Sequence, residues 1–338
     1  MGKTTLKDVG DYVGVSAKTV SNVVNNTGWV GDELKERVHR AIVELGYRPN
    51  AAARQLRSGR SGMIALALPD LAQPYFAELA SAVVRAAAAR SITVLINQTN
   101  GDFEAERRIA DGVGIPVMDG VILSALALTA RDLTHREDSM PIVLLGEHIG
   151  ESAFPHVAVD SAKAAEAATN HLLASGRRRI AAIGAQSDAP RETADLRLAG
   201  YRAALAGAGI TPDPTLVAFV NEFQRADGVA AMKGLLANGA DFDAVFAFND
   251  LLALGAMHTL ISRGIRVPED VAVIGFDDIE EGRFATPPLT SISPDKDAIA
   301  HAALDLLLDA GKPDPTRTVA AQSLETTIPF QIAKRASA

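Results

Sequence analysis

Lys18 and Asn22 stand four residues apart, so on a helix they share one face. Lysine donates to a guanine edge and asparagine pairs with adenine through two hydrogen bonds, so the pair suits the reading of duplex DNA. Ala17, Ser21 and Asn25 run along a neighbouring row with the same spacing. A second set of side chains follows the apolar runs further on: Pro69-Asp70, Tyr75-Phe76, Asp160, Arg191, Arg197, Phe223, Asn249-Asp250 and Asp277-Asp278. Rings beside Asp, Asn and Arg suit a small hydroxylated ring, its faces stacked and its hydroxyls hydrogen-bonded from the edge. An Asp directly after a strand also caps the next helix, and that reading stands beside the binding one for Asp160 and Asp250. For Phe223 the alternative is simple core packing.

Enzyme chemistry finds less support. Adjacent carboxylates such as Asp277 and Asp278 point apart on one chain, and no nucleophile–base pair accompanies them, so hydrolysis is not expected. Neither a phosphate-cradling Walker sequence nor a dinucleotide fingerprint occurs. With no cysteine and seven scattered histidines, neither a metal nor a cofactor is expected. A cysteine-free chain fits the cytoplasm. No run approaches the ~20 apolar residues of a membrane span. The opening Met-Gly-Lys-Thr-Thr-Leu-Lys-Asp has no apolar signal core.

The elements that must position these residues begin with Leu6, Val9 and Tyr12/Val13, whose spacing predicts a helix starting near Thr5. Gly14 breaks it, and Ser16 is a good cap for a second helix over 17–24 that turns Val20, Val23 and Val24 inward. Two short helices joined by a tight glycine-containing turn form a helix-turn-helix, whose second helix enters the major groove. A third helix reads from Asp32, as N-cap, through Leu34, Val38, Ala41/Ile42 and Leu45, with Gly46 and Pro49 as stop signals. Spacing alone also allows a small three-helix domain with no nucleic-acid role. Residues 50–60 favour helix but are too short to hold one alone, so they read as a segment ordered on docking or as a plain linker.

Downstream, apolar runs at 63–68, 92–98, 120–123, 142–145, 180–183, 244–248 and 271–276 alternate with helical stretches at 76–90, 162–175, 196–208, 228–238 and 251–263. Repeated β-α units with continuous apolar strands predict parallel sheets covered on both faces, with ligands outside the carboxyl ends of the strands. Charge divides along the same line. Residues 1–60 hold ten Lys and Arg against six Asp and Glu, a net +4, while the whole chain carries −8, which leaves −12 on the remainder. A basic head on an acidic body confines phosphate attraction to one end.

Thr5-Leu6-Lys7-Asp8-Val9, the run Gly14-Val15-Ser16-Ala17-Lys18-Thr19-Val20-Ser21-Asn22-Val23-Val24-Asn25, and Glu44-Leu45-Gly46-Tyr47-Arg48-Pro49-Asn50 closely resemble the headpiece of the LacI/GalR family of transcriptional regulators. Further blocks are similar to the family core: Pro74-Tyr75-Phe76, Asp195 to Tyr201, Phe248-Asn249-Asp250, Ile274 to Asp278 and Pro287 to Thr290. The resemblance implies an all-α helix-turn-helix headpiece (1–49), a hinge (50–60), and an α/β core (61–330) of two similar parallel-sheet subdomains like periplasmic binding proteins. The chain would cross between them near 161, 291 and 323, and 331–338 would form a tail without a tetramer-forming heptad. It implies that Ala17, Lys18 and Asn22 read bases while Thr5, Ser16, Thr19, Ser21 and Asn25 hold phosphates. In the hinge, Leu56 would wedge into the minor groove, Ala53 would allow close approach, and Arg54 and Arg57 would lie near phosphates. In the core, Tyr75 or Phe76 and Phe223 would stack on an effector; Arg197, Asn249 and Asp277 would bond its hydroxyls, Arg191 would face any charged group, and Asp160 belongs to the same set. The expected partners are a pseudo-palindromic operator duplex, a second copy of the chain and a small-molecule effector, most simply a sugar, with no cofactor, no membrane, and a cytoplasmic, nucleoid-associated location. Three positions depart from the family: Gly31 where Ser or Thr usually caps, Leu34 where Thr often touches the backbone, and Gly146-Glu147-His148 where an acid follows the fourth strand. A periplasmic-type sugar receptor would need an export signal and no headpiece, and an architectural DNA binder would leave the polar-aromatic cluster without a use.

Overall fold

The computed structural model describes residues 4–24, 27–47, 60–114, 116–136, 140–147, 153–187, 192–310 and 325–338. They divide into two compact units, Met1–Ser61 and Gly62–Ala338. The first unit packs α1 (Leu6–Val13), α2 (Ala17–Val24) and α3 (Asp32–Glu44) around Val9, Val20 and Val38, all fully buried. Thr5 and Asp8 form a reciprocal capping box at the start of α1, and Gly14, left-handed at φ 77°, ends it. Gly10 is needed inside α1 because a Cβ there would lie 2.6 Å from the Val15 carbonyl oxygen. Asp32, read as the cap of α3, is instead its first residue; Gly31 is the cap and offers no side chain. The carboxylate still opposes the positive helix end and pairs with Lys35 at 3.0 Å. Gly46 (φ 61°) closes α3: its own N–H reaches Val43 O at 3.2 Å and that of Tyr47 reaches Ile42 O at 3.0 Å.

The second unit contains two six-stranded sheets. The first holds β1 (Met63–Leu68), β2 (Thr93–Gln98), β3 (Val121–Leu123), β4 (Ile142–Leu145), β5 (His156–Val159) and β11 (Glu325–Ile328), all parallel, in the order β11-β5-β4-β3-β1-β2. The second holds β6 (Ile180–Ala185), β7 (Val217–Phe219), β8 (Ala244–Ala247), β9 (Ala272–Phe276), β10 (Thr290–Pro294) and β12 (Phe330–Ala333) in the order β12-β10-β9-β8-β6-β7, with only β12 antiparallel. Each order reverses direction once, at β1/β3 and at β6/β8, which opens a crevice at the carboxyl ends.

Continuous apolar strands follow from double-sided burial. Ile64, Leu66 and Leu68 face α4 (Pro74–Ala88) and α12 (Lys296–Ala310), while Ala65 and Ala67 face α5 (Phe103–Ala110) and α6 (Ala130–Thr134). In the second half α7 (Ser161–Ala174), α8 (Glu192–Gly207), α9 (Arg225–Ala237) and α10 (Asp250–Ser262) cover the sheet, and a short α11 (Glu280–Arg283) follows β9. The chain passes between halves at 160–161, at Asp295 and at Pro329, the last two somewhat beyond the expected 291 and 323, and 323 itself lies outside the described residues.

The expected tail is not a tail. Residues 330–333 form the edge strand β12 on β10, and Ser337 is fully buried, donating to Val273 O at 2.6 Å and accepting from Thr290 N at 2.8 Å. Buried polar atoms of β9 and β10 thus find partners within residues 330–338, which belong to the core. Gly275 in β9 leaves room for the buried Asp250 carboxylate, since a Cβ there would sit 2.1 Å from Oδ1. Gly275→Ala is expected to lower the unfolding free energy by about 1–3 kcal/mol, read from urea midpoints at constant slope.

Candidate functional site

On α2, Lys18 is exposed and Ala17, Thr19 and Asn22 are half-exposed, so the row expected to meet bases is open to solvent. Ser16 caps the helix, its Oγ accepting from Thr19 N at 3.1 Å and lying 2.9 Å from Thr19 Oγ1. Thr5 Oγ1 likewise donates to Asp8 Oδ2 at 2.8 Å, and hydrogen bonds from the Thr5 amide and hydroxyl hold the Asp8 carboxyl below its usual range. These hydroxyls therefore sit at helix starts, where backbone N–H groups already favour an anion. Ser21 departs from expectation: it is buried, because it falls about a quarter-turn from Val20 and shares the flank of the core face. Asn25, Ala53, Arg54, Leu56, Arg57 and Arg191 lie outside the described residues.

The core cluster is built around Arg197 on α8, which is only 7% exposed. Its Nη1 donates to the Phe248 carbonyl, its Nε reaches Ser161 Oγ at 3.4 Å, and its guanidinium carbon lies 3.6 Å from the Phe276 ring centroid. The ring fixes the plane of the fork and the carbonyl fixes its direction, which leaves a preorganised donor at the end of β9. Asp277, the next residue after that strand, is buried with φ 109°. Burial pushes its carboxyl up to about 7, with Arg197 and Lys296 pulling the other way. Tyr75 shares the neighbourhood: burial, then the charges of Asp277 and Glu147, raise its phenol well above the ordinary range. Phe76 meets Tyr75 edge-on with centroids 5.4 Å apart.

Other expected ligands have different duties. Asn249 is 3% exposed; its Oδ1 caps α10 by accepting from Leu252 N at 2.9 Å, and its Nδ2 donates to Phe223 O at 3.0 Å. It therefore holds the Phe223 backbone rather than presenting both polar atoms to a ligand. The Phe223 ring is half-buried against the core of the second half. Asp160 caps α7 through Lys163 N at 2.9 Å and pairs with Lys163 Nζ at 2.9 Å, so the capping alternative describes it. Asp250 does the same for structure: its carboxylate accepts from Ser291 Oγ at 2.6 Å and Ile279 N at 2.9 Å, and burial, then Asp277, push its carboxyl well up.

Glu78 and Lys296 escape a sequence reading, and Glu147 enters it only as a departure from the family pattern. Glu147 in the first half accepts from Ser161 Oγ at 2.8 Å and Thr193 Oγ1 at 3.2 Å in the second. Glu78 on α4 accepts from Glu280 N at 2.8 Å and pairs with Lys296 at 2.9 Å. Lys296 in turn donates to the carbonyls of Asp277 (2.6 Å) and Asp278 (3.2 Å), pinning two successive positive-φ residues. A lysine on the first residue of a helix opposes the dipole, and that misplacement is the one signal the sequence carries for it. A cavity of about 610 Å³ borders Glu78, Arg85, Asp278, Arg283 and Lys296 but takes in none of Tyr75, Arg197 or Asp277. Several of its charged walls are paired with one another, as Arg85–Asp297, Arg283–Asp278 and Lys296–Glu78. No helix among the described residues is long and apolar enough to cross a membrane.

A model of bacterial regulatory proteins of the lacI family matches residues 5–50, and a model of a periplasmic binding protein-like domain matches residues 169–337. The ribose operon repressor of Escherichia coli (strain K12) is 34% identical over 307 residues, covering 90% of this chain and 92% of that protein. The transcriptional regulator CelR of Thermobifida fusca is 36% identical over 323 residues, with 91% and 92% covered. Among solved structures, a CelR–cellobiose complex aligns with TM-score 0.70 at 31% identity over 99% of this chain and 100% of that one. The lac repressor dimer bound to operator and an anti-inducer aligns with TM-score 0.81 at 26% identity over 99% of each chain.

Proposed function

The chain belongs to the LacI family of bacterial regulatory proteins, DNA-binding transcriptional regulators, and on that premise we propose that it is a repressor whose grip on its operator is set by a sugar or sugar derivative held beside Arg197. The observation that carries the effector reading is one cluster: a buried guanidinium stacked on Phe276, the Asp277 carboxyl beside it, and Tyr75 in their field. Such a site offers fixed donors and acceptors to hydroxyls and an apolar face to the ring. The relatives support the choice of sugar, since one is a ribose operon repressor and another is solved with cellobiose. Catalysis has no counterpart in this arrangement. Asp278 is engaged by Arg335 at 2.5 Å, Ser293 at 2.8 Å and Arg283 at 3.2 Å, so it does not act in concert with Asp277.

The working form in this reading is a cytoplasmic homodimer on a pseudo-palindromic duplex, each headpiece in one half-site with Lys18 and Asn22 toward base edges. Residues 50–60 are the hinge, with Leu56 as minor-groove wedge, and Arg191 faces the effector. Effector binding draws the two halves of the core together along contacts they already share, Glu147 with Ser161 and Thr193, and Glu78 with Glu280. Closure repositions the hinge segments and changes operator affinity by a coupling of about 1–3 kcal/mol.

A screen of candidate sugars by thermal shift, followed by operator titration with each hit, tests the function directly. No stabilising sugar among hits that alter operator binding would overturn the sugar assignment. Acidity offers a further check. Asp277 accepts hydroxyl bonds best as a carboxylate, so a bound effector lowers its pKa from about 7 and binding releases a proton below that pH. Effector affinity is therefore expected to rise with pH toward 7 and level off above it, by at most about tenfold per unit. Calorimetry in buffers of different ionisation enthalpy reads the released proton; a pH-independent affinity would exclude Asp277 as the acceptor.

A further inference from the structure

Trp29, the chain's only tryptophan, is 95% exposed. Tryptophan is on average highly buried, so this degree of exposure calls for a physical reason. A loose loop is not that reason, because the backbone on both sides is anchored. Thr27 N donates to Asn22 O at 2.9 Å, and Gly28 packs on the Asn22 side chain, where a Cβ would meet Nδ2 at 3.3 Å. Val30 is 9% exposed in the headpiece core, and Gly31 caps α3. The backbone is therefore tied to Asn22 at 27–28 and buried at 30, and presents the indole outward one residue from the glycine that packs on the Asn22 side chain.

We propose that Trp29 lies against the sugar-phosphate backbone of the bound duplex, its ring over deoxyribose and its Nε1–H on a phosphate oxygen. The inference rests on the headpiece's duplex-binding role and adds a contact to it. Indole carries a single donor and no acceptor, so it cannot make the two-pronged contacts that distinguish base pairs. Duplex bases are stacked on one another, so an intact duplex offers the ring its backbone rather than a base face. An amphipathic ring with one N–H suits that boundary between sugar and phosphate. Contacts of this kind set register and affinity and carry no sequence information.

Because the chain has one tryptophan, its intrinsic emission reports this contact in the full-length protein without a label. Two probes are used: a duplex enriched by selection from a random library, and a random-sequence duplex of the same length. Emission is expected to change saturably with both. Trp29→Ala is expected to weaken both duplexes by the same factor, roughly tenfold for the one charge-assisted hydrogen bond each headpiece loses and so about a hundredfold for the dimer. The salt slope should stay unchanged because no charge is removed, and the melting temperature should stay unchanged because the side chain is exposed. Trp29→Tyr, which keeps a ring and a donor, should recover most of the loss. Emission that is unchanged at saturation overturns the proposal, as does unaltered affinity of Trp29→Ala. A loss confined to the selected duplex overturns it in favour of base reading. A chain that binds duplexes with a silent Trp29 refutes the contact alone, whereas a chain that binds no duplex removes the reading beneath it.

Discussion

Arg197→Ala is expected to abolish effector binding while leaving effector-free operator binding intact. The guanidinium is buried, stacked on Phe276 and bonded to the Phe248 carbonyl, so its loss removes charge-assisted donors and leaves acceptors unmatched. Truncating one partner of a buried, hydrogen-bonded charge pair costs about 2–5 kcal/mol, on the order of thirtyfold to several thousandfold in affinity. The same truncation strands a buried carbonyl, at a stability cost of about 1–3 kcal/mol, so the melting temperature must be measured alongside. Arg197→Lys separates the two effects. Lysine keeps the charge but has no planar fork to lie on Phe276 or to grip two oxygens, so a folded variant with lost binding isolates the geometry. Effector affinity that survives in both variants would move the site elsewhere.

The second large effect is expected at Asn22, and it concerns discrimination rather than affinity as such. A two-pronged asparagine–adenine contact contributes about 1–3 kcal/mol against the wrong base. In the proposed homodimer every substitution enters twice, so Asn22→Ala should cost about 2–6 kcal/mol on the operator if the half-sites act independently. Binding to random duplex should scarcely change, because phosphate contacts are untouched. Competition of labelled operator by both kinds of DNA measures the ratio directly. A uniform loss on operator and random duplex alike would reassign Asn22 to the backbone.

Much of the architecture was legible because two periodicities carry it. Valine spacing over α1 to α3 and the glycines at 14 and 46 define the headpiece, and continuous apolar runs define β1, β4 and β9. What escaped depends on distant partners. Thr290 and Ser291 make β10 look polar, yet both are buried because Ser337 and Asp250, far along the chain, satisfy them. The edge strands β7, β11 and β12 are only three or four residues long. The helices α12 and α5 carry local signals of their own, Ile299, Ala300, Ala303, Leu304 and Leu307 at helical spacing in one and the Asp102 cap in the other. Site residues divided in a similar way. Arg197 and Asp277 stand where a strand-end reading puts ligands, and the structure gathers them with Tyr75. Asn249 and Asp160 stand in equivalent places but cap helices, and no local pattern separates a capping side chain from a ligating one at that position. Glu78 could not be read at all, and Glu147 only as a departure from the family pattern, since each matters through a partner in the other half.

The interleaving of the two halves bears on how the protein is made. Each sheet recruits an edge strand that follows the rest of it in the chain: β11 for one and β12 for the other, with α12 laid across the first. Folding during synthesis ordinarily proceeds with amino-terminal domains finishing first. Here the small headpiece can do so, but neither α/β half can seal its sheet until residues 325–333 have been made. The nascent core therefore carries two open margins until then, and growth at elevated temperature or loss of chaperones should deplete the regulator before it depletes its folded neighbours.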